Sequence, residues 1–172
     1  MACSLVLLAA VDRNWAIGRN NALLYRIPED MRQFRRLTTG GIVVCGRRTL
    51  ESFPGGQPLP NRHTILLSHA FENTYGWQNF AVAHSVSEVL EQLADDETAY
   101  IIGGEQVYRV FYPYCQSAIL TEIDAITSDA DAFFPPLQPE DGWTVVERSE
   151  LQTSVSGVPY RFVTYYNKKP NR

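Results

Sequence analysis

The sequence predicts an α/β fold in which a mostly parallel sheet carries an antiparallel hairpin at its edge. Short apolar runs without alternation recur along the chain, and such runs are typical of strands that are covered on both faces. Signals for helix starts lie between them. After Pro139 the runs alternate between apolar and polar positions, which indicates strands with one exposed face. No linker or internal repeat divides the chain, so we expect one domain over residues 1–172.

The apolar runs predict five strands, each bounded by Gly, Pro or polar residues. In chain order they cover residues 5–11, 42–45, 65–67, 100–102 and 118–123. All are far shorter than the roughly 20 residues of a membrane helix. The first run also lacks the basic start and the cleavage site of a signal peptide, so we expect neither feature.

Four helices are expected between these strands. The first begins at Pro28, which suits a first turn, and continues with Glu29 and Asp30 near the positive end of the helix dipole. Gly40 and Gly41 end it. The other three are predicted over residues 47–53, from Ser85 with Glu88 three positions later, and over residues 105–111 before Pro113.

The remaining segments are predicted as a hairpin and two loops. Residues 143–147 and 161–166 alternate as antiparallel strands do, and residues 154–157 are the predicted turn between them. Residues 12–27 and 68–79 lack a periodic pattern. The first of these loops is long for a compact domain, and long ordered loops often carry function.

Composition restricts the class of partner and the compartment. The 172 residues include 15 Lys and Arg against 19 Asp and Glu, a net charge of −4, so no general basic field favours nucleic acid. Three cysteines, Cys3, Cys45 and Cys115, form neither an even set nor a C-x-x-C pair. We therefore expect free thiols and a cytoplasmic location.

Candidate ligand-binding residues follow the predicted strands, because ligands of open α/β sheets bind beyond the carboxyl ends of the strands. Gly103 and Gly104 allow close approach of a pyrophosphate, although a tight turn would use the same pair. Arg47 and Arg48 carry forked donors for an anion, although solvated surface arginines are commoner. With Thr49, Ser68 and His69 also at strand ends, we expect a dinucleotide that carries an extra phosphate.

Asp30 is the carboxylate that we expect to face inward. Met31 and Phe34 lie on adjacent turns of its helix, whereas Glu29 is expected to turn outward. Most first-turn aspartates only complement the helix dipole. A buried Asp30 facing a heterocycle would instead serve recognition and proton transfer.

Several other site classes are not predicted. His63, His69 and His84 lack metal-ligand spacing, so no metal is expected. The chain contains no G-x-S-x-G elbow, no phosphate-binding G-x-x-x-x-G-K-[ST] loop and no paired catalytic carboxylates. This disfavours hydrolases, kinases and glycosidases.

Eight motifs follow one another along the chain: Leu8-Ala9-Ala10-Val11, Ile17-Gly18, Ile27-Pro28-Glu29-Asp30-Met31 with Phe34 and Thr38, Gly46-Arg47-Arg48-Thr49 with Glu51-Ser52, Pro58-Leu59-Pro60-Asn61-Arg62, Ile102-Gly103-Gly104-Glu105-Gln106-Val107-Tyr108, Thr121-Glu122-Ile123 and Asp131-Ala132-Phe133-Phe134-Pro135. In order and spacing, these motifs together resemble dihydrofolate reductase over nearly the whole chain. The resemblance implies a three-layer α/β/α domain. It also implies reduction of 7,8-dihydrofolate to 5,6,7,8-tetrahydrofolate with NADPH, a reaction of one-carbon metabolism.

The resemblance implies a substrate site around Asp30, which would bind the pterin and assist its protonation. Thr121 would hydrogen-bond Asp30 indirectly, Tyr25 would act with them, and the carbonyl oxygens of Leu8 and Ile102 would accept from the pterin amino group. Arg62 would bind the glutamate carboxylate. The other substrate residues would be Ala9, Ala10, Leu23, Met31, Phe34, Thr49, Ser52, Phe53, Leu59 and Tyr108.

The resemblance also implies a cofactor site, with a cis peptide between Gly103 and Gly104 and residues 12–27 as a lid. Arg47 and Arg48 would favour NADPH over NADH. The implied cofactor residues are Ala10, Ile17, Asn21, Ala22, Leu23, Gly46, Arg47, Arg48, Thr49, Leu67, Ser68, His69, His84, Ile102, Gly103, Gly104, Glu105, Gln106, Val107 and Tyr108.

The chain departs from the family just before the first helix, where Leu24 and Tyr25 replace the usual Pro-Trp. The family's Trp helps hold a water beside the pterin, and we expect the Tyr25 hydroxyl to rebuild that network. Leu24 frees a backbone dihedral angle and would loosen the lid. Turnover rate and the response to antifolates such as trimethoprim and methotrexate therefore stay open.

Two other functions remain as alternatives. One is the related pyrimidine reductase of riboflavin synthesis. The presence of Asp30 and Arg62 is evidence against this alternative. The other is a protein that binds NADPH or a folate without turnover. We expect a monomer that binds small molecules, with no nucleic-acid or membrane partner.

Overall fold

The computed structural model describes residues 2–71 and 76–171. Twelve strands lie in these ranges: β1 (Ser4–Val11), β2 (Ala16–Arg19), β3 (Ala22–Leu23), β4 (Ile42–Gly46), β5 (His63–Leu67), β6 (Phe80–Ala83), β7 (Thr98–Ile101), β8 (Ser117–Ile123), β9 (Ala132–Phe133), β10 (Trp143–Arg148), β11 (Gln152–Thr153) and β12 (Pro159–Asn167). The four α-helices in the same ranges are α1 (Pro28–Thr38), α2 (Arg47–Ser52), α3 (Val86–Glu91) and α4 (Glu105–Phe111). No helix within the described ranges is long and apolar enough to span a membrane.

The central sheet has the strand order β10-β12-β8-β1-β7-β4-β5-β6, with β11 paired to β12. Strands β8, β1, β7, β4, β5 and β6 run parallel, whereas β12 is antiparallel to both β8 and β10. The prediction of a mostly parallel mixed sheet with an antiparallel hairpin at its edge is confirmed. This topology brings the carboxyl ends of β1, β4, β5 and β7 to one edge.

Apolar side chains pack on both faces of the sheet. Leu7 lies in one cluster with the fully buried Phe111 and Phe134, while its neighbour Leu8 lies in a second cluster with Ile102. Successive side chains of a strand point to opposite faces. Burial on both sides therefore explains why these strands read as continuous apolar runs.

One prediction about loops is wrong in part, and one strand was missed. Residues 12–27 contain β2 and β3, which form a small antiparallel sheet with β9 in the order β3-β2-β9. These strands have two to four residues, too few for an alternating pattern to be recognised. The predicted loop 68–79 is followed by β6, which was not predicted, and its residues 72–75 lie outside the described residues.

Candidate active site

The turns after β4 and β7 lie against each other at the carboxyl edge of the sheet. The Gly46 amide donates to the Gly103 carbonyl oxygen at 2.8 Å, and the Ile102 amide donates to the Val44 carbonyl oxygen at 2.9 Å. The two glycine-containing turns that the sequence proposed for anion binding are therefore adjacent in space.

In both turns a glycine packs closely on a neighbouring side chain. Gly103 has a φ of +113°, and a Cβ there would lie 3.0 Å from Tyr108 Cε2. A Cβ on Gly46 would lie 3.0 Å from Val107 Cγ2. The peptide between Gly103 and Gly104 is cis, as expected. Glycine at these positions therefore allows Tyr108 and Val107 to lie close to the backbone of the turns.

Arg47 and Arg48 are the first two residues of α2, and Arg48 contacts the lid. Arg47 and Arg48 are exposed, and Arg47 Nε lies 4.0 Å from Glu51 Oε1. The Arg48 carbonyl oxygen accepts a hydrogen bond of 3.0 Å from Asn21 Nδ2 in the lid segment. This end of the site thus presents exposed guanidinium groups to solvent.

Leu67, Ser68 and His69 follow one another at the end of β5, and His69 is exposed. His84, just after β6, pairs its Nδ1 with the Ser68 carbonyl oxygen at 2.7 Å. Its ring is thereby held beside the end of β5.

Asp30, in the first turn of α1, is partly buried and contacts the central sheet through β8. Its Oδ1 accepts a hydrogen bond of 2.5 Å from Thr121 Oγ1 on β8. The prediction of an indirect contact between these residues is therefore wrong, because the two side chains bond directly. Burial raises the pKa of Asp30 above its usual value, although the hydrogen bond from Thr121 acts in the opposite direction.

Glu29, the neighbouring acid, turns toward the β11–β12 turn. Its carboxylate accepts from Ser154 Oγ at 2.6 Å and from the Val155 amide at 3.1 Å. The inward direction of Asp30 and the different direction of Glu29 agree with the sequence prediction. These contacts also hold the first turn of α1, whose preceding residue Ile27 supplies no side-chain cap.

Tyr108 connects α4 to the candidate substrate site. Its hydroxyl donates to the Leu8 carbonyl oxygen at 2.7 Å. Burial raises the pKa of Tyr108, and the charge of Asp30 adds to this effect, so Tyr108 stays protonated and serves as a donor. The Leu8 oxygen keeps a second lone pair for another donor.

Apolar side chains border this region from α1 and α2. Phe34 and Phe53 pack against the cluster that contains Leu8 and Ile102. Met31 and Leu23 are 43% and 64% exposed, so they are free to cover a ligand. The other predicted residues Ala9, Ala10, Ile17 and Leu59 are partly buried, and Ala22 and Gln106 are exposed.

Two predicted polar residues use hydrogen bonds within their own turns. Ser52 Oγ donates to the Thr49 carbonyl oxygen at 2.6 Å, and Arg62 Nε donates to the Pro60 carbonyl oxygen at 3.0 Å. Partial burial and the charge of Arg35 lower the pKa of Arg62. Arg35 and Arg62 therefore lie close enough to repel each other, which makes their surroundings attractive to an anion.

The Tyr25 hydroxyl has a protein partner that the sequence did not predict. It pairs with Thr127 Oγ1 at 2.8 Å, in the loop between β8 and β9. The Thr127 amide in turn donates to Asp12 Oδ2 at 2.9 Å. Sequence reasoning missed Thr127 and Asp12, because nothing in the local sequence relates residues more than 100 positions apart.

The same loop holds the middle of the lid segment. Arg19 Nη1 donates to both carboxylate oxygens of Asp129, at 2.9 and 2.7 Å, and the Asn20 amide donates to Asp131 Oδ2 at 3.0 Å. The acidic positions between β8 and β9, opposite the basic Arg19, were the available sequence signal for this contact.

Comparisons of the sequence with known proteins identify the family. The family model described as dihydrofolate reductase matches residues 4–167. The dihydrofolate reductase of Neisseria meningitidis is 37% identical, with 94% of this chain and 96% of that protein covered. Dihydrofolate reductase HdrB of Haloferax volcanii is 36% identical, with 98% and 86% covered.

A solved structure supports the same relationship. Dihydrofolate reductase from Enterococcus faecalis, complexed with NADP(H) and RAB-propyl, superposes with a TM-score of 0.82 at 28% identity and covers 96% of each chain. The chain therefore belongs to the dihydrofolate reductase family, the enzymes that reduce 7,8-dihydrofolate to 5,6,7,8-tetrahydrofolate with NADPH.

Proposed function

We propose that Asp30 binds the pterin and assists its protonation when this chain reduces dihydrofolate. One observation carries this assignment: Asp30 is partly buried at the carboxyl edge of the sheet and directly bonded to Thr121. NADPH supplies the hydride in this reaction. The protein has to supply a proton donor and to hold the nicotinamide and pterin rings face to face.

Asp30 suits proton transfer because burial raises its pKa toward the working pH. Thr121 fixes the orientation of the carboxylate through Oδ1 and leaves Oδ2 for the substrate. The carbonyl oxygens of Leu8 and Ile102 would accept from the pterin amino group. Phe34, Phe53, Met31 and Leu59 would enclose the rings, and Arg62 would bind the glutamate carboxylate as a fork.

The residues of the two glycine turns fit a dinucleotide phosphate. Because Gly46 and Gly103 lack a Cβ, Val107 and Tyr108 pack closely on the backbone of these turns, and the pyrophosphate would approach this backbone. Arg47, Arg48 and Thr49 would bind the ribose phosphate, with Ser68, His69 and His84 near the adenosine. Ala10, Ile17, Asn21, Ala22 and Leu23 would border the nicotinamide from β1 and the lid.

The same proposal covers the setting of the enzyme. A single domain over residues 1–172 would act as a cytoplasmic monomer and would bind antifolate inhibitors in the pterin site. The thiols of Cys3, Cys45 and Cys115 are free, which suits a reducing compartment.

Oxidation of NADPH by the purified chain with dihydrofolate tests the proposal, run beside Asp30→Asn and with NADH as the alternative cofactor. We expect turnover that prefers NADPH and falls about 10²- to 10⁴-fold in Asp30→Asn near neutral pH. Equal rates for the variant and the wild type would refute the role of Asp30. Binding of both ligands without turnover would instead support the non-enzymatic alternative.

A further inference from the structure

The first residue of α4 is bonded to a strand that belongs to the small sheet. Glu105 Oε1 accepts a hydrogen bond of 2.7 Å from the Phe133 amide on β9. Its other oxygen, Oε2, accepts from Arg109 Nε at 3.4 Å, one turn later in α4. The two carboxylate oxygens thus have separate partners.

Strand β9 pairs with β2, which belongs to the lid segment. Phe133 is paired with Ala16 and Ala132 with Gly18, so β9 forms the edge of the sheet that contains β2 and β3. The next residue, Phe134, donates its amide to the Trp15 carbonyl oxygen at 2.7 Å. Any displacement of β9 therefore acts on the backbone of residues 15–18.

An aromatic contact reinforces this connection. The Phe134 ring is fully buried and lies 4.8 Å from the Tyr108 ring and 6.2 Å from the Trp15 ring. Tyr108 belongs to α4, and Trp15 to the lid segment. The start of α4 and the start of the lid are thus joined through β9 by one hydrogen bond and two ring contacts.

The ordinary uses of a glutamate at a helix start do not account for this arrangement. A favourable interaction with the helix dipole needs no particular partner, and the pair with Arg109 occupies only Oε2. The bond from Oε1 to the Phe133 amide crosses 28 residues to another sheet.

We propose that Glu105 is a positioning residue, whose side chain couples the Gly103–Gly104 turn to the lid of residues 12–27. The inference rests on the proposed function, in which the cofactor pyrophosphate lies over the backbone of residues 103–107. The backbone of Glu105 faces that ligand, while its carboxylate holds β9. Ordering of the turn by the cofactor therefore orders the lid that covers the nicotinamide.

Hydrogen–deuterium exchange of the whole chain, with and without NADPH, tests this coupling in Glu105→Ala, Glu105→Gln and Arg109→Ala. We expect Glu105→Ala to raise exchange about tenfold in peptides that cover residues 14–20, already without ligand. We also expect it to remove most of the additional protection that NADPH gives to these peptides. Glu105→Gln keeps an acceptor at this position and should retain most of the protection.

Arg109→Ala is the matched control, because it removes the ion pair within α4 and leaves the Phe133 bond intact. It should exchange like the wild type in residues 14–20. In steady-state assays Glu105→Ala should lower kcat more than it raises the KM for dihydrofolate, because the lid acts on the closed complex. If Glu105→Ala does not fold, Glu105→Asp, whose carboxylate is one methylene shorter, takes its place.

Unchanged exchange in residues 14–20 of Glu105→Ala would overturn the proposal. A uniform increase that includes β1 and β7 would overturn it as well, because this would mean a general loss of stability. The ligand-free comparison remains decisive even if the wild type does not bind NADPH. Failure of the proposed function and failure of the coupling can therefore be told apart.

Discussion

Thr121 Oγ1 on β8 donates a 2.5 Å hydrogen bond to Asp30 Oδ1 in the first turn of α1. The donor comes from a buried strand next to β1, and the acceptor comes from a helix that follows the lid. Burial and this bond act on the Asp30 carboxyl in opposite directions, burial raising its pKa and the bond lowering it. The protonation of the site is therefore set by a balance that one substitution can shift.

Thr121→Val tests this balance, because it removes the donor and keeps the shape of the side chain. The pKa of Asp30 should rise further, so the fall in kcat/KM with increasing pH should occur at higher pH than in the wild type. Thr121→Ser keeps the hydroxyl and serves as the control, with the wild-type profile expected. Identical pH profiles for Thr121→Val and the wild type would mean that the hydrogen bond does not shift the pKa of Asp30.

Asp30→Asn should stabilise the ligand-free fold while it removes activity. Because the pKa of Asp30 is higher in the folded state, the folded state binds the extra proton, and stability falls as pH rises from the unfolded pKa through the folded one. Above this window the uncharged Asn should give a higher melting temperature than Asp. Below about pH 3.8, the ordinary value for the group, the difference should vanish.

Glu29→Gln, at the neighbouring residue, should change the melting temperature in the opposite direction. The hydrogen bond from Ser154 lowers the pKa of Glu29, so its ionised form stabilises the fold, and this stabilisation is lost as pH falls through the folded pKa. At neutral pH Glu29→Gln should lower the melting temperature. In thermal unfolding, a higher melting temperature for Glu29→Gln would contradict the assignment for Glu29, and a lower one for Asp30→Asn would contradict the assignment for Asp30.

Tyr25 and Thr127 should act as a pair in a double-mutant cycle of thermal or denaturant unfolding. Tyr25→Phe and Thr127→Val each remove the 2.8 Å bond between the two hydroxyls, and the coupling free energy should be about 0.5–1.5 kcal/mol. Since the Tyr25 hydroxyl is hydrogen-bonded to Thr127 and not to Asp30, the pH profile of turnover should not change in Tyr25→Phe. A shifted profile would support the water-network role that the sequence suggested.

The sequence was sufficient for most of the central sheet, because strands buried on both faces have continuous apolar runs, whereas the mostly half-buried edge strand β6 was missed. Leu7 and Leu8 point to opposite faces and are both buried, so their strand has no polar alternation. The helix start at Pro28 and the cap at Ser85, which accepts from the Glu88 amide at 3.1 Å, are local signals that need no tertiary knowledge.

The lid was less predictable, because its structure depends on distant partners. Strands β2 and β3 are held by β9 and by the loop after β8, whose Asp129 and Thr127 bond Arg19 and Tyr25 across more than 100 residues. Tertiary contact of this kind overrides local propensity in short segments. The direct hydrogen bond between Thr121 and Asp30 could not be predicted either, because these residues are 91 positions apart in the sequence.

Arg48→Ala and Arg47→Ala should each weaken the binding of NADPH more than the binding of NADH. Both guanidinium groups are exposed beside the Gly46 turn, where the ribose phosphate of NADPH would accept their forked hydrogen bonds and the NADH hydroxyl would not. Exposure and salt screening reduce the expected effect to an about 3- to 10-fold rise in the KM for NADPH at each position. The KM for NADH should stay within about twofold of the wild type, and raising the salt concentration should narrow the difference between the KM values of the two cofactors.

Arg36→Ala, which replaces an exposed arginine on α1, is the matched control for loss of one positive charge. A parallel rise of both KM values in Arg47→Ala and Arg48→Ala would mean that these arginines contact a part shared by the two cofactors rather than the extra phosphate.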